Sequence, residues 1–434
     1  MLGPPLAKAG FALYRLVAAA GTPLVRRHLV QRCQRGREDP ARLGERFGHA
    51  GARRPPGTLV WVHAASVGES LSALPLVQSI RRGWPALQLL MTTGTVTSAK
   101  LMAERLPAGV IHQYAPVDLP AAVERFLDHW QPAFGLVLES EFWPNLLTEA
   151  RARGVELALV NGRVSPSSFA AWRRFRPASG YLLGLFALTL AQSREDQAHL
   201  RALGAADPQC LGNLKFTAPP LACDAAELAA LKAALDERPR WLAASTHPGE
   251  DEIAAAVHAA LAARRPGLLT ILVPRHPHRG AAIAAALRAG GRRVALRSAG
   301  EALTAETEFY LADTIGELGL WYRLAEVVFI GGSLVPKGGQ NLLEPAKLDC
   351  AILCGPQMTN FLRVTEEMNR AEAIRQVADQ AQLATAVAWL LDDDAARREM
   401  IQAAKGYAAA QAGVLEDIIK ALAPHLNRAA RTAP

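Results

Sequence analysis

The sequence predicts an α/β protein of two domains, each built on an open parallel sheet. Three observations carry this. Short Val/Ile/Leu runs alternate with alanine-rich stretches of helical period, the pattern of parallel strands joined by crossover helices. The series halts at an extended Thr217-Ala218-Pro219-Pro220 stretch and restarts at Arg240. At 434 residues the chain is also longer than a single compact core accommodates, which favours two domains of about 200 residues.

Composition narrows the class. Half the residues are hydrophobic and 20% are charged, as in ordinary globular proteins, and no repeat of solenoid period appears. Cys33, Cys210, Cys223, Cys350 and Cys354 include no C-x-x-C pair, so neither a disulfide framework nor a zinc site is expected.

At the N-terminus Leu6, Gly10, Leu13, Val17, Ala20 and Leu24 share one helical face beside Phe11 and Tyr14, with Lys8 and Arg15 on the polar side. The uncharged runs fall short of the ~20 residues a spanning helix needs. Arg15 within the apolar stretch argues against a cleaved signal peptide. Between Arg26 and Arg54 nine arginines meet only Glu38, Asp39 and Glu45, a surplus of six within a net charge of +8. Residues 1–34 therefore read as an amphipathic segment lying on an anionic lipid surface. The alternative is a helix packed on its own domain with solvated arginines. No nucleic-acid partner is expected.

The first α/β series opens with a strand at 58–63, a turn of small residues at 64–68 and a helix from Ser70. Such a turn is where α/β proteins bind ligands, and Glu69 places a carboxylate there. Ser66 and Glu69 also have the S-x-x-E spacing of a capping box, which would only tie off the helix. Further strands read at 87–93, 110–114, 134–138, 155–160 and 186–191. Glu69, Thr93, Glu139, Glu141, Asn161 and Arg163 all follow strand ends, on the edge where an open sheet presents its crevice. Any one of them could cap a helix, as Pro144 suggests for Glu141, but capping accounts poorly for so many. Lys215, in LGNLKF, would stand at the domain junction, either reaching an anion or simply solvated.

The second series reads strands at 241–244, 268–273, 308–311, 327–330 and 352–355, followed by a helical tail over 381–426. Its loops place glycines, hydroxyls or cations before helix starts, where free N–H groups and the helix dipole hold phosphate. Arg275 could add a charge-assisted fork, and Glu344 suits ribose hydroxyls. No G-x-G-x-x-G and no G-x-x-x-x-G-K-[ST] occurs, which argues against a dinucleotide site or P-loop. His247, His276 and His278 lack a joining acidic cluster, so no metal is expected.

Taken together and in order, WVHAASVGES, LESEFWPN, NGRVS, GNLKF, STHPGEDE, PRHPHR, DTIGEL and GGSLVPKGGQNLLEPA resemble the 3-deoxy-D-manno-octulosonic acid (Kdo) transferases of lipopolysaccharide synthesis. The resemblance spans about residues 35 to 365. It implies a GT-B architecture of two Rossmann-like open-sheet domains with an interdomain cleft. It also implies an enzyme held peripherally or by an N-terminal anchor at the cytoplasmic face of the inner membrane, moving Kdo from CMP-Kdo to the lipid A precursor with no further cofactor. On this likeness Glu69 matches the catalytic base, while Glu139 and Lys215 match residues supporting the transition state. Arg275 and His276, then Gly316, Glu317 and Leu318, then Asn341, Leu342, Leu343 and Glu344 match the CMP-binding segments. Gln357-Met358-Thr359-Asn360-Phe361 stands where the family often has His-Thr-Phe-Asn-Phe, and Thr217 stands where an Asp often follows Lys-Phe. The expected divisions are 1–34, an acceptor domain 35–216, a linker 217–225, a CMP-sugar domain 226–405 and a C-terminal helix and tail 406–434. The rival readings are a GT-B enzyme using another nucleotide sugar and a membrane-bound nucleotide-binding protein without transfer activity.

Overall fold

The computed structural model describes residues 4–217, 220–236 and 238–431, and side chains from residue 9 onward. The side chains of Leu6 and Lys8, and the residues Ala218 and Pro219, lie outside these. The chain forms two compact units, Met1–Ala218 with Gln411–Pro434, and Pro219–Ala410.

The sheet of the first unit comprises β1 (Leu59–His63), β2 (Gln88–Thr93), β3 (Val110–Tyr114), β4 (Phe134–Leu138), β5 (Glu156–Gly162), β6 (Leu188–Ala191) and β7 (Gln209–Cys210). All pairs are parallel, in the order β3-β2-β1-β4-β5-β6-β7. Successive side chains of a strand point to opposite faces, and β1 is apolar on both. Val60 and Val62 enter one core, Leu59 and Trp61 the other, so helices must cover each face. The order reverses between β1 and β4. The connections leave these two strands in opposite directions, which opens a crevice at their C-terminal ends.

The second unit repeats the design with β8 (Arg240–Thr246), β9 (Leu269–Pro274), β10 (Val294–Leu296), β11 (Phe309–Leu311), β12 (Val327–Ile330), β13 (Ala351–Cys354) and β14 (Ile374–Gln376). Its order is β10-β11-β9-β8-β12-β13-β14, with the reversal between β8 and β12. Trp241, Leu272, Phe309 and Phe329 fill its core.

Three strands escaped the sequence reading. β7 has two residues, β10 is three residues between arginines, and β14 carries the exposed Arg375 and Gln376. Each lies at a sheet edge, where burial is partial and the apolar signal faint. The tail is helical as expected, in the three pieces Gln380–Asp392, Asp394–Ala412 and Val414–Arg431. Its end is not separate, however, because residues 411–434 belong to the first unit. Ile418, Leu422 and Leu426, spaced four apart, are buried there against β4 and the helix Val67–Gly83. His425 stacks on Phe134 at 5.6 Å and meets Glu156 at 2.9 Å.

The N-terminal segment is two helices, α1 (Pro4–Ala20) and α2 (Thr22–Gln34), parted at Gly21. α1 packs within the first unit by the side that carries Phe11, Tyr14 and Arg15. Arg15 bridges Glu124 and Glu149 at 2.5 and 2.6 Å, Tyr14 donates to Asp118 at 2.9 Å, and Phe11 stacks on Tyr181. Leu13, Leu16, Val17 and Leu24 face outward, each at least 63% exposed. Among the described residues no helix is long and apolar enough to cross a membrane.

Candidate active site

Glu69 stands at the start of the helix Val67–Gly83, directly after β1. Ser66 is the N-cap, its hydroxyl accepting the Glu69 N–H at 3.3 Å. The Glu69 carboxylate in turn accepts the Ala65 N–H and the Ser66 O–H, each at 2.8 Å. Ser66 thus caps the helix as the spacing anticipates, but Glu69 reaches back to the Ala65 N–H rather than to that of Ser66, so the reciprocal capping box is not closed; the same bonds fix where the carboxylate points. Burial pushes the Glu69 carboxyl above its ordinary range, although the Ser66 and Ala65 hydrogen bonds pull it down. The charges of Glu139 and Glu141 add to the rise, which places three carboxylates in one electrostatic neighbourhood.

Glu139 and Glu141 come from the loop after β4, the strand across the reversal. Glu139 adopts a left-handed backbone, φ 55°, and Lys215 Nζ lies 2.7 Å from its Oε1. What brings Lys215 there is Asn161. Its side-chain oxygen accepts the buried Leu214 N–H at 3.0 Å, while Asn213 caps the short turn Leu214–Phe216. Glu141 accepts the Trp143 indole N–H at 2.6 Å, and His63 Nε2 lies 3.7 Å away. Burial works against the charged form of Glu141, but His63 and Trp143 outweigh it and hold its carboxyl below the usual range.

Two members of the expected polar edge turn inward instead. Thr93 is buried and pairs with His112, and Asn161 is buried at the Leu214 hydrogen bond. Arg163 stays exposed. Gly94 lets its loop pack on the Glu69 turn, since a Cβ there would come within 2.9 Å of the Ala65 carbonyl oxygen.

In the second unit Arg275 and His276 follow β9 and are exposed, with Arg275 tied by its backbone N–H to Thr246. The His247, His276 and His278 rings form a row at 5.8 and 5.7 Å. Gly316, at φ 92°, leads into Glu317 and the helix Leu318–Leu324. Glu317 is already paired with Arg297 at 2.6 Å, which holds its carboxyl low. Asn341 donates to Glu344 at 3.1 Å and accepts the Leu343 N–H at 3.0 Å. Burial raises the Glu344 carboxyl, against Asn341, Lys347 and Arg275, so Arg275 and Glu344 share one neighbourhood. Leu342 and Leu343 have buried side chains, and Glu344 is the second residue of a one-turn helix, Leu343–Ala346.

The glycine loop after β12 differs from the expectation of open phosphate donors. The Gly332, Ser333 and Leu334 N–H groups all point at the buried Glu250 carboxylate, at 2.6, 3.0 and 3.0 Å. Glu250 occupies that nest itself, which makes the loop a rigid wall. Gly338 and Gly339 pack over Asn360 and Met358, so the departing 357–361 segment serves as their floor.

The sequence model of the 3-deoxy-D-manno-octulosonic-acid transferases matches residues 41–218. The chain is 36% identical to a probable mitochondrial 3-deoxy-D-manno-octulosonic acid transferase of Arabidopsis thaliana, over 96% of each protein. It is 38% identical to the 3-deoxy-D-manno-octulosonic acid transferase of Bordetella pertussis, over 95% of this chain and 99% of that one. The chain belongs to the Kdo transferase family. Among solved structures, the UDP-GlcNAc 2-epimerase of Neisseria meningitidis superposes with a TM-score of 0.57, covering 85% of this chain and 100% of that one at 10% identity. That likeness supports the fold alone: two Rossmann-like units of GT-B type.

This Kdo transferase is therefore a glycosyltransferase of lipopolysaccharide synthesis. The structure draws Glu69, Glu139 and Lys215 to one sheet edge, with Glu141 and His63 beside them. His63 was passed over in the sequence because a histidine ending an apolar strand reads as core.

Proposed function

We propose that this Kdo transferase takes Kdo from CMP-Kdo and joins it to a hydroxyl of the lipid A precursor, inverting the anomeric carbon with Glu69 as general base. The observation that carries this reading is the Glu69 carboxylate. It is fixed at a crevice edge, and burial raises it above its ordinary value, which makes it a better proton acceptor than a free carboxylate. In-line displacement needs a base on the acceptor side and stabilisation of the departing phosphate on the other. CMP is assigned to Arg275, His276, residues 316–318 and Asn341 to Glu344, with Glu344 accepting from ribose hydroxyls. A phosphate ester leaves with little proton assistance, so cations and N–H donors suffice, and no cofactor or metal is invoked. Lys215 balances Glu139, so the site does not accumulate three unpaired carboxylates as the acceptor arrives.

The same reading sets the enzyme peripherally on the inner membrane, its catalytic units in the cytoplasm. Support comes from the outward leucines of α1 and α2. Of the arginine cluster, Arg32, Arg42, Arg46 and Arg54 are engaged within the first unit. Arg26, Arg27, Arg35, Arg37 and Arg53 are exposed and suited to anionic headgroups.

The test is a product assay. Purified enzyme receives a tetra-acylated lipid A precursor with CMP-Kdo, or with ADP- or UDP-sugars, and products are read by mass spectrometry and NMR. Adducts of Kdo mass with inverted anomeric configuration, from CMP-Kdo alone, are expected. Transfer from another nucleotide sugar, or retained configuration, would contradict the reading.

A further inference from the structure

His63, in the first unit, is a buried group that the proposed mechanism leaves unused. It ends β1, is 2% exposed, and its Nε2 makes no hydrogen bond among the described residues. A buried imidazole N without a partner is costly, so its surroundings define what it is for. On its other side Nδ1 lies 2.9 Å from Thr92 Oγ1, and that same oxygen accepts the Trp61 indole N–H at 2.8 Å. An indole can only donate, so the Thr92 oxygen is an acceptor there. The arrangement that wastes no proton has the Thr92 O–H donate to Nδ1. His63 then carries its proton on Nε2, facing the Glu141 carboxylate at 3.7 Å. Trp61, Thr92 and His63 thus form a fixed rod from the sheet interior to Glu141.

Glu141 is only partly spent. Its Oε2 takes the Trp143 N–H and faces His63, while Oε1 makes no hydrogen bond among the described residues. The Trp143 ring, its N–H committed to Glu141, is 46% exposed beside it. An ionised carboxylate oxygen next to an open indole face is the chemistry that recognises a saccharide: the oxygen accepts a hydroxyl, and the ring covers an apolar sugar face.

We propose that Glu141 accepts a hydrogen bond from a hydroxyl of the acceptor's sugar, and that His63, held by Thr92, is the positioning residue that aims it. This rests on the reading of Glu69 as base and of the first unit as the acceptor side. It gives the three carboxylates separate tasks, with Glu69 taking the proton, Glu139 paired to Lys215 and Glu141 orienting the sugar. A carboxylate held 3.7 Å from an N–H is one small rotation from a full hydrogen bond, which acceptor binding completes.

The experiment measures Glu141→Gln, His63→Asn and the double variant in the full-length enzyme, alongside wild type and Glu69→Ala, with CMP-Kdo and a detergent-dispersed disaccharide acceptor. Losing one charge-assisted hydrogen bond to the acceptor lowers kcat/KM for the acceptor about ten- to a hundredfold, with KM for CMP-Kdo unchanged. His63→Asn lowers it in the same sense, and the double variant is no worse than Glu141→Gln, because His63 acts through Glu141. Wild-type kinetics in Glu141→Gln, or losses that multiply in the double variant, would overturn the proposal. So would KM values that rise together for both substrates with a lower unfolding temperature. If wild type fails with CMP-Kdo, the functional reading has failed. If wild type works, Glu69→Ala does not and Glu141→Gln matches wild type, only this inference has failed.

Discussion

At the scale of single residues the site is a problem of charge. Glu139 is 6% exposed and held in a left-handed backbone, and its carboxylate is tolerable only because Lys215 meets it. Lys215 is itself 37% exposed, so water screens the pair and its worth to stability is modest. Lys215→Met should therefore lower unfolding free energy by about 1 kcal/mol while reducing turnover far more, and adding Glu139→Gln should restore the stability but not the rate. Urea unfolding and steady-state kinetics on the single and double variants check this. A double variant as unstable as Lys215→Met would mean that the pair is not the reason Glu139 can be buried.

At the scale of elements, the N-terminal helices reverse the usual arrangement of an amphipathic helix on a globular domain. α1 holds on through Arg15, Tyr14 and Phe11 and offers Leu13, Leu16 and Val17 outward, continued by Leu24 of α2. Each exposed leucine moved into lipid contributes about 1.5 kcal/mol or more, so Leu16→Asp should weaken binding to anionic vesicles about tenfold or more. Its unfolding temperature should not change, because the side chain touches little. Co-sedimentation that is insensitive to Leu16→Asp and Leu24→Asp would show that the membrane is held elsewhere.

Legibility also divides at this scale. The β1–turn–helix unit was readable because small residues, a Ser-x-x-Glu spacing and an apolar run coincide over one short stretch. β7, β10 and β14 were not, because each is only two or three residues long. The C-terminal helix was legible as a helix, but its berth was not. Ile418, Leu422 and Leu426 announce an apolar stripe, and nothing local says that it will cover β4, nearly three hundred residues earlier. The polar edge was half legible for a related reason. Position after a strand end is a property of sequence, whereas the inward turn of Thr93 and Asn161 depends on His112 and Leu214, which only the fold supplies.

At the scale of the whole molecule the two units share a plan and differ in what their loops carry. Around the first reversal, between β1 and β4, stand carboxylates; around the second, between β8 and β12, stand cations, histidines and a nest already filled by Glu250. Glu69 is central to the proposed division of labour, and its environment sets a sign for pH. A base works deprotonated, and burial has raised the Glu69 carboxyl above the ordinary carboxylate range. Activity should accordingly decline with falling pH through a value above that range. The most direct measurement pairs Kdo transfer with CMP binding in Glu69→Ala. Transfer abolished across the pH range with CMP affinity near wild type is the expected result; turnover retained by Glu69→Ala would contradict the account.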